Sequence, residues 1–366
     1  LRLSLAGTLV TSQASRWRAS RAAASRPPIP RVNGGLNVQP LRRFDPGAGL
    51  TPPLIVPGLI DLQMSLIYEL GIERIRLTLS FDGFGPDFLA AIPYVRAARA
   101  LGVHVLGVIG QFTGFDLVQA LSQPATREEV LDVYLTIFDD MVPSASPAIE
   151  PGTFAMQILN EPTHFLGLPP DVYVRDFLAP AAVHLKENDP QLVVVSAAAV
   201  GNLDGLLRTR VLFEAGLEQF CDRVAYHIYN ETLIPRLDGW ATKPVWVTES
   251  GTAPPARHLK WLTTTFDAVR KEIKGVEHIF YFDLFDFQPD RFRLINIVPE
   301  PDGGFRSVAE SGVAVQYLQN RVAEASGEQP RATYRELIPD ITFYFPTDAD
   351  LRLVTSTSFG QETWRS

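Results

Sequence analysis

Two glutamates in this chain each follow a short apolar run, an unusual place for a carboxylate. Glu161 ends the run FAMQILNE, and Pro162 behind it prevents the run from continuing. Glu249 stands near the end of a second run, PVWVTES. A carboxylate in such a place is either solvated or in use, and two of them together can divide the roles of proton donor and nucleophile.

Three further residues with chemical potential occur in similar surroundings. His227 and Tyr229, two apart in YHIYN, share one face of an extended segment because side chains alternate along a strand. Arg76 lies within the apolar run IERIRLTLSF, on the same face as Thr78 and Ser80. A buried arginine is costly unless a carboxylate pairs with it, so Arg76 requires an acidic partner.

Apolar strand-like runs alternate with helix-like stretches along most of the chain. Eight strands are predicted, at 33–39, 72–81, 103–112, 154–161, 191–200, 222–230, 244–250 and 278–287. Amphipathic stretches accompany them, at 58–70, 86–101, 126–142, 170–188, 206–220, 256–274 and 308–322. Eight strand–helix units over about 290 residues favour an α/β fold of the (β/α)8 TIM-barrel type. A doubly wound open sheet is the alternative, but no G-x-G-x-x-G sequence opens a helix after the first strand.

In a TIM barrel the active site lies at the C-terminal ends of the strands, where these polar residues would meet. We therefore expect Arg76 to pair with Glu249 across the mouth, and Glu161 to face Glu249. Two carboxylates at a barrel mouth suggest glycoside hydrolysis. Trp246 is expected on the face opposite Glu249, and Trp261 on a helix, so both are predicted to be core residues.

The motifs resemble those of the clan A retaining glycoside hydrolases. Those enzymes carry Asn-Glu, often followed by Pro, at the end of strand 4, and here the sequence is NEP. They carry Glu at the end of strand 7, here in TESG. Many add His-x-Tyr on strand 6, here in YHIYN, and an Arg on strand 2, here in IRL. The resemblance covers residues 32–325.

This resemblance implies a role for each matching residue. Glu161 would be the acid/base and Glu249 the nucleophile of a double displacement on a β-linked oligo- or polysaccharide. Asn160 would bind the sugar 2-hydroxyl, and Tyr229 would donate a hydrogen bond to the nucleophile. Arg76 would keep Glu249 ionised, because a nearby positive charge favours the charged form of a carboxyl.

Within the clan, the chain after strand 8 looks most like family 39, with families 5 and 51 as close competitors. Strand 8 of these enzymes usually presents a Trp to the sugar, whereas this sequence offers Tyr281, Phe282, Phe285 and Phe287. Tyr281 and Phe285, together with His227, are predicted to contact the substrate. The end of strand 3, GQFTGF, lacks the His found there in many family 5 members.

Two other functions could use the same residues. A barrel that only binds glycans would need one carboxylate lost or displaced, and the sequence retains both. A metal-dependent barrel enzyme would use Glu161, Glu249 and His227 as ligands, with Asp283 and Asp286 as additional donors. Because such sites usually need three or four ligands on a rim rich in acidic residues, no metal and no cofactor are predicted.

Composition excludes several classes of protein. Of the 366 residues, 46% are hydrophobic and 20% charged, and the single cysteine, Cys221, rules out intrachain disulfides and cysteine-cluster metal sites. The first 44 residues hold eight Arg and no acid, which leaves 25 basic against 41 acidic residues in the remainder. An acidic body argues against nucleic acid as a partner, and no apolar run is long enough to span a membrane.

Three regions are predicted, with the barrel at 32–325 between extensions at 1–31 and 326–366. The first extension fits a signal peptide, a transit peptide or basic tail, or a strand packed on the barrel. It favours a secreted or periplasmic protein over a cytoplasmic one. Alternating runs at 1–10 and 340–356 predict a small β layer formed by the two termini.

Loop lengths predict the shape of the site. Long loops after strands 1, 3 and 8, at 40–57, 112–126 and 286–307, would form walls, and short loops after strands 2, 4 and 5 would leave one side low. An open cleft of this kind suits a polymer that is cut internally. Aromatic side chains would line it, namely Phe112, Phe115, Phe165, Phe285 and Phe287.

Overall fold

A computed structural model of the chain describes residues 33–38, 57–79, parts of 95–109 and 127–135, 154–285, 292–299 and 305–327. The predicted β layer of the termini and most of the three long loops lie outside these residues, as do Phe112, Phe115 and Phe287. Most of each predicted strand lies within the described residues, but residues 39, 80–81, 110–112 and 286–287, at the ends of strands 1, 2, 3 and 8, do not, and Ser80 is among them.

Eight strands form one sheet in which every neighbouring pair is parallel. They are β1 (Asn33–Val38), β2 (Ile72–Leu79), β3 (His104–Ile109), β4 (Phe154–Ile158), β5 (Val193–Val195), β6 (Val224–Ile228), β7 (Val245–Ser250) and β8 (Val276–Phe285). Their order is β5-β4-β3-β2-β1-β8-β7-β6. This order, in which β1 pairs with both β2 and β8, is the one that consecutive strand–helix units produce.

The two outer strands of this order lie next to each other. Val195 at the end of β5 forms one parallel bridge with Arg223, which directly precedes β6. The amides of Asp222 and Arg223 both donate to the carbonyl of Val194. Side chains from six strands also meet in one cluster on the inner face of the sheet, at Leu106, Ala155, Val195, Ala225, Trp246 and Phe280. The sheet is therefore strongly curved, with its inner side filled by side chains.

Helices cover the outer face of the sheet. They are α1 (Pro57–Glu69), α2 (Pro162–Phe165), α3 (Pro170–Tyr173), α4 (Ala179–Asn188), α5 (Leu203–Glu214), α6 (Ile234–Leu237), α7 (Pro255–Lys260), α8 (Phe266–Glu272) and α9 (Gly312–Ser326). A π-helical turn at Val174–Leu178 joins α3 to α4, and another at Trp261–Thr265 joins α7 to α8. No helix in the described part of the chain combines the length and the apolar character needed to cross a membrane.

The helices pack through apolar faces that the sequence pattern predicts. In α1, Ile60, Met64 and Ile67 recur at helical spacing, and all three are buried in the main core together with Ile75 of β2. Since successive side chains of a strand point to opposite faces, burying Ile75 outside the sheet places its neighbour Arg76 on the inner side. The amphipathic helices thus determine which side chains the strands direct inward.

Two elements differ from the sequence prediction. Strand β5 has three residues instead of the predicted ten, because the backbone after Val195 bonds to side chains and to the segment before β6 rather than to β4. The predicted helix at 308–322 begins only at Gly312. The residues before it belong to a hairpin in which β9 (Ile295–Pro299) pairs antiparallel with β10 (Phe305–Ala309).

Candidate active site

The guanidinium of Arg76 is the centre of the polar cluster at the C-terminal ends of the strands. It donates to Glu249 Oε1 at 2.7 Å, to Asn160 Oδ1 at 2.7 Å and to Gln157 Oε1 at 3.0 Å. Arg76 is only 2% exposed, so a charge at this depth needs these partners. The structure brings Arg76 and Glu249 together, and through Arg76 it connects the ends of β2, β4 and β7.

Glu249 is surrounded by donors. Besides Arg76, the Tyr229 hydroxyl donates to its second oxygen at 2.6 Å, and His227 Nδ1 lies 3.5 Å from that oxygen. Burial by itself would raise the pKa of Glu249, but the charges of His227 and Arg76 and the hydrogen bonds from Tyr229 and Arg76 outweigh it, so that the pKa lies below its usual value. The pKa of the Tyr229 phenol lies above its usual value, because burial and the charge of Glu249 both raise it. Glu249 is thus held as a carboxylate, and Tyr229 as a proton donor.

Glu161 occupies a turn directly beyond β4. Leu159 and Glu161 both have left-handed backbone angles, with φ of 64° and 44°, before Pro162 begins α2. L-residues rarely adopt such angles, and they persist only where surrounding contacts hold them. This turn directs the Glu161 carboxylate into the cluster, where its Oε1 lies 2.6 Å from His227 Nδ1. Ligand atoms of Glu161, His227 and Glu249 all lie within 4.8 Å of one another, so the two carboxylates face each other as expected.

Trp246 does not lie opposite Glu249, which corrects the sequence prediction. Ala225 of β6 pairs with Trp246 of β7. His227 lies two residues after Ala225, but its partner Glu249 lies three residues after Trp246. One extra residue in β7 interrupts the alternation, as in a β-bulge. Trp246 therefore packs in the inner cluster on the same side as Glu249, and its indole nitrogen donates to Glu277 at 2.9 Å. Trp261 is buried in the main core as predicted.

The aromatic residues of β8 also need a correction. Tyr281 and Phe285 were predicted to bind substrate, but both are 0% exposed and pack in the core outside the sheet. Tyr281 instead contacts the rings of His258 and Phe266. The partly exposed aromatic ring at this end of β8 is Phe282, which has edge contacts with Tyr229 at 6.0 Å and with Phe292 at 5.8 Å.

Sequence reasoning assigned no role to three residues that shape the site. Phe282 was named among four aromatic residues of strand 8 but was not selected for substrate contact, because the sequence does not show which face of that strand points inward. In the structure Phe280 lies in the inner cluster, and alternation puts Phe282, two residues on, on the same face. Gln157 is a polar residue within an otherwise apolar strand, and this position indicates a structural role, because a buried amide needs hydrogen-bond partners. It accepts from Arg76 and donates to the Leu159 carbonyl at 3.1 Å. Tyr173, on α3, carried no signal, because its role depends on which strand its helix covers.

One group among the described residues has the composition and closeness of a metal site, namely Glu161, His227 and Glu249. Asp283 is fully buried on β8 and does not belong to this group, while Asp286 lies outside the described residues. Glu249 already bonds a buried guanidinium and a phenol, and a divalent cation would compete with the Arg76 charge for the same carboxylate. The arrangement suits an ionised nucleophile better than a metal ligand.

No family model and no curated protein matches this sequence. Solved structures do match. An enzyme of Alicyclobacillus herbarius named AHE aligns with a TM-score of 0.58 and 11% identity, over 83% of this chain and 99% of that one. The family 1 β-glucosidase of Exiguobacterium antarcticum aligns with a TM-score of 0.54 and 10% identity, over 81% and 98%. The family 39 β-xylosidase of Caulobacter crescentus aligns with a TM-score of 0.50 and 16% identity, over 80% and 72%.

These matches show a similarity of fold. The neighbours include clan A glycoside hydrolases of several families, which are TIM-barrel enzymes, and the parallel α/β sheet of this chain fits theirs. The resemblance inferred from NEP and TESG is therefore confirmed at the level of the fold.

Proposed function

We propose that this chain is a retaining glycoside hydrolase in which Glu249 is the nucleophile and Glu161 the acid/base. The observation that carries the proposal is that carboxylate oxygens of the two residues lie within 4.8 Å of each other. Retaining enzymes hold their two carboxyl groups about 5–5.5 Å apart, whereas inverting enzymes need about 6.5–9.5 Å to admit a water. Carboxylate oxygens this close fit the separation in retaining enzymes better than the wider one in inverting enzymes, and so support a direct attack on the sugar.

The contacts of the two carboxylates support this division of roles. Glu249 bonds the Arg76 cation and the Tyr229 hydroxyl, which stabilise its charged form and suit a nucleophile. Glu161 would protonate the leaving oxygen while Glu249 attacks the anomeric carbon and forms a glycosyl-enzyme ester. Water then attacks that carbon, Glu161 takes its proton, and Glu249 leaves, so that two inversions give net retention.

The surrounding residues acquire roles consistent with this mechanism. The carbonyl oxygen of the Asn160 amide accepts from Arg76, which leaves the NH₂ of the amide to donate to a sugar 2-hydroxyl in the proposed complex. His227 bonds Glu161 and lies near Glu249, so we assign it to the orientation of both carboxylates as well as to the substrate contact expected of it. Phe282 replaces Tyr281 and Phe285 as the ring that would stack on the sugar.

Several finer points belong to the proposal as well. Closure of the curved sheet between β5 and β6 would complete a (β/α)8 barrel, supported by the bridge from Val195 to Arg223. A β-linked substrate is supported by the names of two neighbours, a β-glucosidase and a β-xylosidase. Internal cleavage of a polymer stays a prediction, because the loops on which it depends lie outside the described residues.

Trapping the intermediate tests the proposal. Incubation with a panel of activated 2-deoxy-2-fluoro β-glycosides should add one sugar mass to the protein, and peptide mass spectrometry should find it on Glu249. Glu249→Gln should not be labelled by any member of the panel. Glu161→Gln should still be labelled by a dinitrophenyl member, whose leaving group needs no protonation. A label on another residue would contradict the assignment, and no hydrolysis of any aryl glycoside would favour a protein that only binds glycans.

Chelation tests the metal-dependent alternative. Dialysis against EDTA should leave hydrolysis unchanged, because no step of the proposed mechanism requires a cation at Glu161, His227 or Glu249. Added Zn²⁺ should fail to increase the rate. Loss of activity on dialysis, restored by a divalent cation, would replace the proposed mechanism with a metal-dependent one.

A further inference from the structure

The strongest unassigned feature near the site is the hydroxyl of Tyr173, a fully buried side chain on α3. It accepts a hydrogen bond from the Ala197 amide at 2.7 Å and donates one to the Ile158 carbonyl at 2.9 Å. Burial raises the pKa of this phenol, so it keeps the proton that it donates to Ile158. One hydroxyl thus connects the last residue of β4 to the segment that follows β5.

This connection replaces a missing part of the sheet. The ladder between β4 and β5 ends where Gln157 pairs with Val195. Ile158 still pairs with Ile109 of β3 on its other side. Toward β5, the Tyr173 hydroxyl lies between the next two backbone groups and satisfies both. Buried backbone groups need such partners, so the end of β4 is anchored on this side by one side chain.

What the anchor holds is the turn that carries Glu161. The left-handed residues Leu159 and Glu161 follow directly after Ile158. Each part of the turn has its own side-chain contact: Gln157 of β4 donates to the Leu159 carbonyl, Arg76 of β2 donates to Asn160, and His227 of β6 lies against Glu161. Tyr173 anchors the point where this turn departs from the sheet, without touching either carboxylate.

We infer that Tyr173 is a positioning residue that holds Glu161 at its working distance from Glu249. The inference rests on the proposed function, in which Glu161 delivers the proton. If the hydroxyl is lost, the Ala197 amide and the Ile158 carbonyl lose a buried partner, and the strained turn can relax. The nucleophile is held by Arg76 and Tyr229 from other strands and should stay in place. The defect should therefore be confined to proton transfer.

Leaving-group dependence is the measurement that separates this role from general destabilisation. For Tyr173→Phe, kcat/KM on aryl glycosides with poor leaving groups should fall about tenfold to a hundredfold, since small misplacements of a catalytic group cost that much. On the best leaving groups kcat/KM should hardly change, because it reports the first step, in which those groups leave without protonation. The slope of log(kcat/KM) against the leaving-group pKa should become steeper than in the wild type.

Tyr226→Phe is the matched control. Tyr226 is also buried, on β6, and its hydroxyl has no hydrogen-bond partner within the described part of the chain. Removing it deletes the same atom from a similar depth, and should leave the wild-type slope unchanged. Equal slopes in both variants and the wild type would overturn the inference.

Crystal structures of the two variants test the same point without turnover. In Tyr173→Phe the Leu159–Glu161 turn should shift and the Glu161 carboxylate should move from His227, while Glu249 stays on Arg76. An unmoved turn would overturn the inference. Wild-type protein that hydrolyses none of the glycosides would refute the proposed function instead, and these structures would still decide whether Tyr173 holds the turn.

Discussion

The two glutamates of the site are held in different ways. Glu249 belongs to a strand, β7, and side chains from β2 and the end of β6 fix its carboxylate with a cation and a phenol. Glu161 lies past the end of β4, in a turn with left-handed angles at two residues, and its carboxylate meets an imidazole. The position of Glu249 depends mainly on charge, and that of Glu161 mainly on backbone geometry.

In the proposed mechanism, this difference gives one residue type two functions in one site. A nucleophile must stay ionised, which nearby positive charge and hydrogen-bond donors achieve. An acid/base must gain and lose a proton in each cycle, so its placement relative to the leaving oxygen matters more than a permanent charge. Arg76 supplies that asymmetry, since its guanidinium bonds the Glu249 carboxylate and, on the β4 side, the amide of Asn160.

The largest expected effect is that of Glu249→Ala. Without a nucleophile, hydrolysis should fall about 10⁵-fold, because the covalent path is lost. Added azide should restore turnover and give a glycosyl azide of inverted configuration, since it attacks from the face that Glu249 occupied. Chromatography and NMR of the product check this.

The control for that experiment is Glu214→Ala, the same substitution on an exposed position of α5. It should keep full activity and form no glycosyl azide. A product of retained configuration from Glu249→Ala would mean that the two glutamates have exchanged roles.

The second largest effect is expected for Glu161→Ala. Activity on natural linkages should fall about 10³-fold, whereas activated aryl glycosides with good leaving groups should lose far less, because their first step needs no acid. Azide should here give a product of retained configuration, by attack on the glycosyl-enzyme. Steady-state kinetics on both substrate types measure the contrast, and equal losses on the two would count against an acid role.

The smallest of the three effects should come from Arg76→Met, which removes the positive charge that is bonded to the Glu249 carboxylate and not to that of Glu161. We expect kcat/KM at neutral pH to fall about tenfold to a hundredfold, because Asn160 and Glu249 both lose their shared donor. Breaking a buried pair should also lower the stability by about 3–5 kcal/mol, measurable by urea unfolding. Arg210→Met, which removes an exposed pair with Glu214 on α5, should have little effect on either.

The pH dependence of Arg76→Met has a defined sign. The lowered pKa of Glu249 means that the folded state prefers the ionised form, so this contribution to stability is present above the ordinary carboxyl pKa and is lost as the pH falls through the lowered value. The acid limb of kcat/KM should accordingly lie below the ordinary carboxyl pKa in the wild type. In the variant the charge and the hydrogen bond of Arg76, which both lower the pKa of Glu249, are gone, so that this pKa rises and the acid limb should move to higher pH. An unshifted limb would show that Arg76 does not control Glu249.

The strand ends could be predicted from sequence because they depend on local rules. Apolar runs that end in NEP and TESG, each followed by a helical pattern, determined the order of the elements and the edge at which Arg76, Glu161 and Glu249 meet. The same local alternation separates Arg76 from Ile75, and in the structure Ile75 packs in the main core while Arg76 lies on the inner side of the sheet.

In two situations only the tertiary structure decided which side chains reach the site. The first is a strand in which the alternation of side chains is interrupted, and the second is a contact between segments that are distant in the chain. The extra residue in β7 puts Trp246 and Glu249 on one side, and the inward face of β8 exposes Phe282 rather than Tyr281. Tyr173 reaches the end of β4 because its helix packs there. Register, bulges and such anchors are set by pairing between residues far apart in the chain, and a local pattern of apolar and polar residues does not encode that pairing.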